Sequence, residues 1–133
     1  MKKLFFVLFS VLLFSCTKEK DADAPEVKTF QTFLGKYMVC DSVKTTTNNI
    51  SSTQVLGKGK GQDFLFGLYG NYTLYSNPEV NYNFQFEVPN KMYYWKDTYN
   101  ANQYYIVNSM AGNKMVLQSN EANKTIIRYY TSE

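Results

Sequence analysis

Residues 81–88 read Asn-Tyr-Asn-Phe-Gln-Phe-Glu-Val, and no feature of the chain constrains its fold more than this strict alternation of polar and apolar side chains. A period of two puts successive side chains on opposite faces of an extended strand, one face buried and one wet, the pattern of antiparallel sheets. Shorter runs of the same kind occupy 36–44, 54–56, 63–66, 72–76, 91–96, 104–108, 114–119 and 125–131, for about nine strands in all. Turn formers separate them: Gly57, Gly59 and Gly61; Gly67 and Gly70-Asn71; Asn77-Pro78; Pro89-Asn90; Ala111-Gly112-Asn113; and the asparagine-rich stretches 100–102 and 120–123. Links this short make sequential strands pair, so the expected fold is all-β, an antiparallel meander that closes as a barrel or stacks as a sandwich. Closure removes the exposed edges that invite aggregation. Helical signals are confined to 25–34, where Pro25 can open a turn or two with Val27, Phe30, Phe33 and Leu34 on one side, suited to plugging a barrel mouth.

The start of the chain carries a different message. Lys2-Lys3 precede a run over 4–14 that is apolar but for Ser10, followed by Ser15 and Cys16. A charged start, a short apolar core and a small residue before the break make a secretory signal peptide, and the run is short for a membrane span. Leu13-Phe14-Ser15-Cys16 resembles a bacterial lipobox, which implies cleavage before Cys16 and acylation of that residue. An ordinary signal peptide with a chance cysteine, or an uncleaved anchor helix, are the alternatives. Residues 1–15 are thus expected to be a lipoprotein signal peptide and 16–25 a lipidated cysteine with its tether, since Thr17-Lys18-Glu19-Lys20-Asp21-Ala22-Asp23-Ala24-Pro25 has little apolar area to bury against the entropy of ordering. Residues 26–133 remain as one domain. A cysteine followed by lysine and acidic residues also resembles the export signal of Bacteroidetes lipoproteins, which implies the outer face of the outer membrane; the plainer reading is a solvated charge run. Two acyl chains would suffice for stable attachment.

Composition removes several functions. Lys2 and Lys3 leave with the signal, so twelve of the fourteen basic residues face eleven acidic ones, and the mature chain carries a formal charge of +1. Near-neutrality without a basic cluster argues against nucleic acid as a partner. There is no histidine, which excludes the usual triads, histidine-based zinc sites and the commonest general base. With Cys16 committed to lipid, Cys40 has no partner for a disulfide and no histidine to activate it, and a buried thiol is expected. Glu87, Asp63 and Asp97 are the carboxylates from which a glycoside-cleaving pair could be drawn, but each lies at a strand end or turn, where a solvated or capping role is expected. Gly57-Lys58-Gly59-Lys60-Gly61 lacks the lysine followed by serine or threonine of a phosphate loop and reads as a flexible loop. Asp41-Ser42-Val43 matches a loose O-glycosylation tripeptide but falls inside a strand. No cofactor, metal site or catalytic residue is implied, and a binding protein is expected rather than an enzyme.

Order and spacing over 34–131 resemble the lipocalin-like domains common in Bacteroidetes outer-membrane lipoproteins. The resemblance rests on a helical lead-in followed by Leu34-Gly35-Lys36-Tyr37, an aromatic-glycine-aromatic hairpin over 64–75, the pair Tyr104-Tyr105-Ile106-Val107 and Lys114-Met115-Val116-Leu117, and a closing strand over 125–130. It implies a lipocalin-like barrel of eight or nine strands. In that family an arginine late in the barrel lies across an opening tryptophan; here Tyr37 stands in that place, and Arg128 is the sole arginine. The resemblance therefore implies a cation-π closure of Tyr37 by Arg128, with a solvated Arg128 as the alternative.

All twelve tyrosines lie beyond the signal, and the pairs Tyr93-Tyr94, Tyr104-Tyr105 and Tyr129-Tyr130 should each place one ring inside and one outside. Inward rings either fill the core or line a semi-polar cavity, and outward rings with Trp95 could form a stacking platform. Tyr82, Phe84, Phe86, Tyr94 and Tyr104 are the expected lining of a ligand pocket, being alternate positions on consecutive strands. Two functions follow: a barrel holding a small apolar or glycan ligand, or an envelope interaction protein, such as an inhibitor, immunity factor or accessory subunit, that binds another protein through its loops. A monomer is expected in either case. If Tyr82, Phe84, Phe86, Tyr94, Met115 and Leu117 fill the interior with no void, the barrel is a packed core and the small-ligand reading fails. Cys16→Ser should release the protein from the membrane fraction and abolish labelling by a clickable fatty acid; retained labelling would refute acylation at this residue.

Overall fold

The computed structural model describes residues 25–76 and 78–133. The expected signal peptide and Cys16 lie outside them, as does the tether up to Ala24; Pro25 opens a helix instead of ending the tether. The elements are α1 (Pro25–Gln31), β1 (Tyr37–Thr47), β2 (Ile50–Val55), β3 (Asp63–Phe66), β4 (Asn71–Tyr75), β5 (Val80–Glu87), β6 (Lys91–Trp95), β7 (Tyr104–Ala111), β8 (Lys114–Glu121) and β9 (Lys124–Ser132). Every strand pairing is antiparallel, β3 to β9 follow one another as a meander, and β9 returns to β1 from Met38↔Ser132 to Thr47↔Lys124. Eight strands, β1 and β3 to β9, thus close a barrel, and β2 is an extra strand on its outside.

The polar run 45–53 does not alternate, and the structure shows why. Asn48 and Asn49 sit at φ 50 and 64, the left-handed pair that a two-residue hairpin needs, and β2 returns along β1 with all six of its residues exposed. A strand wet on both faces leaves no period to read. The expectation that sequential strands pair also fails once. β2 and β3 do not pair; both lie along the same edge of β1, β2 against 42–47 and β3 against Tyr37 and Met38.

Between those two partners β1 would be left with unpaired backbone. Asp63 closes the junction. Its side chain is fully buried; Oδ1 accepts from the backbone N–H of Cys40 at 2.8 Å, and Oδ2 accepts from the Tyr37 hydroxyl at 2.9 Å and the Gly59 N–H at 2.7 Å. The backbone N–H groups of Leu56 and Gly57 donate to the carbonyls of Asp41 and Cys40, completing the seam. Gly59 reaches the carboxylate at φ +78, a conformation that a side chain would strain. Asp63 is therefore not the solvated strand end expected from its position. The 57–61 loop is in part the cover over a buried carboxylate.

One end of the barrel is stopped by α1 and the turn after it, as the apolar side of 25–34 suggests. Phe33 is fully buried and Phe30 nearly so, with the Phe30 ring stacked on Phe86 at 4.4 Å and edge-on to Phe66 at 5.4 Å. Irregularities at Asp41 in β1 and Asn108 in β7 shift the register by one residue. Each such bulge reverses which parity of side chain faces inward.

Asp63→Ala removes the acceptor for three donors, two of them backbone, and each orphaned buried donor costs about 1–3 kcal/mol. The urea midpoint should fall by the equivalent of roughly 3 kcal/mol with an unchanged slope, and Asp63→Asn should recover only part of it, because its amide N–H groups would face other donors. An unshifted midpoint in Asp63→Ala would refute the role given to this carboxylate.

Candidate functional site

The inner face of the barrel is built from alternate positions on each strand. On β5 these are Tyr82, Phe84 and Phe86; opposite them on β6 stand Tyr94 and Met92, and opposite Met92 on β7 stands Tyr105. β8 and β9 contribute Met115, Leu117, Arg128 and Tyr130, with Arg128 directly across from Leu117 and Val43. The ring contacts fall into two layers. At the α1 end, Phe30, Phe64, Phe66, Phe84 and Phe86 pack with centroids 4.4–5.7 Å apart. Toward the other end the rings are tyrosines: Tyr72 stacks on Tyr82 at 4.9 Å, Tyr94 meets Tyr82 edge-on at 5.8 Å, and Tyr94 stacks on Tyr105 at 4.5 Å. Phe64 joins the layers through Tyr130 at 4.8 Å.

Burial follows this axis in part, with Phe86 at the α1 end partly exposed and Tyr72 among the tyrosines buried. Phe66 and Met38 are fully buried, whereas Tyr82, Tyr94, Tyr105 and Arg128 are only partly so, as are Leu74 and Val43 beside them. The interior is thus a packed core at the phenylalanine end and a shallow, tyrosine-walled mouth at the other. A deep cavity is not what the rings form, since they touch along the barrel. A concavity of about 340 Å³ lies beside Thr29, Pro89 and 107–110, and another of about 410 Å³ lies between the hairpin tips at Asn48-Asn49 and 121–124.

Of the expected pocket residues, Tyr82, Phe84, Phe86 and Tyr94 share the inner face as foreseen. Tyr104 does not: it lies opposite Tyr93 on the outer face, and its neighbour Tyr105 takes the inner place. There Tyr93, Tyr99, Trp95 and Tyr104 form an outward aromatic group, with Tyr93 rings 5.8 Å from Tyr99 and 5.5 Å from Tyr104, and the Lys91 ammonium 5.1 Å from the Tyr104 centroid. The expected closure of Tyr37 by Arg128 is corrected. Tyr37 points outward from β1, bonded to Asp63 and covered by Lys58 at 5.2 Å, while Arg128 points inward and lies 5.7 Å over Tyr105. The physical reason is parity: Arg128 shares its face of β9 with the inward Tyr130, and Tyr37 is out of phase with the inward Met38 and Cys40. The inner, arginine-bearing wall could have been found from Arg128 and Tyr130 being two residues apart.

The three candidate carboxylates are not brought together. Asp63 is bonded into the seam, Asp97 is exposed, and Glu87 is exposed at the β5–β6 hairpin opposite Lys91. Among the described residues no three histidine, cysteine, aspartate or glutamate side chains group as a metal site would need.

Burial also sets the ionisation of the wall. The Cys40 thiol, fully buried, is pushed up from 9.0 to about 11, mainly by desolvation. The Tyr37 hydroxyl rises from 10.0 to about 12 through desolvation and its bond to Asp63. Desolvation likewise raises the hydroxyls of Tyr72, Tyr105 and Tyr130. All are held in the neutral form, so what they contribute to stability is complete below pH 9 and is lost as pH rises from 9 to 11 for Cys40 and from 10 to 12 for Tyr37. An alkaline titration should therefore show Tyr72, Tyr105 and Tyr130 ionising only together with loss of the β-sheet circular dichroism signal. Ionisation of every tyrosine by pH 10 with the sheet intact would contradict this.

No family model, no curated protein and no solved structure matches the chain.

Proposed function

We propose that the chain is a lipid-anchored envelope protein that binds a small molecule at the tyrosine-walled mouth of its barrel and does not transform it. The observation that carries this reading is the split of the inner face: phenylalanines stopped by α1 at one end, and partly exposed Tyr82, Tyr94 and Tyr105 at the other. Apolar rings with polar tips, held by a rigid frame, are the ordinary material of ligand sites. Stacked and edge-on rings held by a closed sheet lose little freedom on binding, so affinity does not have to offset an ordering cost. The anchor rests on Leu13-Phe14-Ser15-Cys16, and the envelope location rests on that anchor.

A second reading, an interaction protein, is favoured by one observation. β2 is the terminal strand of the sheet, paired only to β1, and it exposes Ile50 and Val55 at 76% and 82%. An unpaired edge can accept a strand from a partner. Native mass spectrometry of the protein extracted from its own envelope separates the two. A bound small molecule that is lost in Tyr82→Ala/Tyr94→Ala is the expected result. A co-purifying protein lost in Thr53→Pro, with no small molecule, would replace the first reading by the second, and a bare protein would refute both.

A further inference from the structure

Arg128 is the only arginine of the chain, and it is built into the wall of the barrel mouth. Its charge has no opposite charge to meet. Among the described residues the ion pairs are Lys58–Glu133 and Lys124–Glu121, and Arg128 belongs to neither. Nη1 donates to the Ser119 hydroxyl at 2.9 Å and Nε makes a long bond of 3.4 Å to Gln62 Oε1, both neutral acceptors. Of the five N–H groups on a guanidinium, these use two.

The groups around it do not supply a counter-charge at neutral pH. Tyr105 and Tyr130 are kept protonated by burial, against the pull of the guanidinium, and so is the Cys40 thiol. The buried carboxylate, Asp63, is on the other side of β3 from the inward Phe64 and is engaged by three donors of its own. A partly buried cation bonded only to neutral groups is costly unless something completes it, and a guanidinium fork matches the two oxygens of a carboxylate. The stacked rings of Tyr94 and Tyr105, 4.5 Å apart, lie next to that fork and offer flat apolar faces.

We propose that the mouth of the barrel is a receptor for a small organic monoanion, a carboxylate on a flat or apolar body, with Arg128 pairing the carboxylate and Tyr94 and Tyr105 packing against the body. This rests on the reading of the mouth as a ligand site and names its ligand class. The carboxylate would take the free N–H groups of Arg128 without breaking its bond to Ser119.

Paired probes test it in the full-length protein in detergent: 2-naphthoate against 2-naphthalenemethanol, of the same shape but without the charge, measured by titration calorimetry. The expected result is that the acid binds at least about tenfold more tightly than the alcohol, a difference that one charge-assisted bond readily supplies. Arg128→Gln should remove the preference for the acid over the alcohol, and Arg128→Lys should restore part of it. Equal affinity of the wild-type protein for acid and alcohol would overturn the anion assignment while leaving the mouth as a site, and this comparison needs no variant to fold. Binding of neither probe, with no shift of the Tyr94 and Tyr105 ring resonances, would overturn the mouth itself as a site and the anion assignment with it. A preference for the acid that survives in Arg128→Gln would place the anion elsewhere and overturn the role of Arg128.

Discussion

Three donors from two segments, β1 and the loop before β3, converge on the two oxygens of Asp63, and the closed barrel depends on that convergence. β1 has two edges. One is given wholly to β9, which closes the ring; the other is divided between β2 and β3, and at the change of partner a backbone N–H would be stranded. Stranded buried donors are among the costlier faults in a fold, so a sheet that splits an edge needs something to accept them. A single aspartate at the first position of β3 does so, and at the same time fixes the loop from β2 and the ring of Tyr37. The cost of desolvating the carboxylate is offset because both of its oxygens are bonded.

Inside the ring the same backbone pattern serves two purposes according to residue chemistry. Phenylalanine and methionine fill the end stopped by α1, where nothing polar has to be satisfied. Tyrosine fills the other end, where a ring can pack while its hydroxyl stays within reach of water or of a partner. The guanidinium of Arg128 could not sit among the phenylalanines without great cost, but it is tolerated beside Tyr105, Gln62 and Ser119. The division into a packed half and a wettable half is therefore what admits a charge to the interior.

Much of this was legible in the chain. Strict alternation over 81–88 gives β5 with its faces correctly assigned, the glycine and asparagine clusters mark most of the hairpins, and the pairs Tyr93-Tyr94, Tyr104-Tyr105 and Tyr129-Tyr130 each divide between outside and inside. What could not be read has particular causes. β2 is exposed on both faces, so its sequence carries no period; Asp63 is a short polar residue at a strand start, and its burial depends on a loop that folds over it from the far side of a partner exchange. Alternation alone does not fix the phase of β7, whose bulge at Asn108 puts Tyr105 and Val107 inside before it and Met110 inside after it, leaving Tyr104 on the outer face. Arg128 was set against Tyr37 by family resemblance, although its own strand parity with Tyr130 pointed inward.

The position of α1 has a further consequence for orientation. A helix of seven residues is about 10 Å long, and Phe30 near its end is already wedged between Phe66 and Phe86. The chain thus enters the barrel at its stoppered pole, and anything joined ahead of Pro25 is joined at that pole. The tyrosine rim lies at the opposite pole, so the point at which the preceding segment joins the domain does not crowd it.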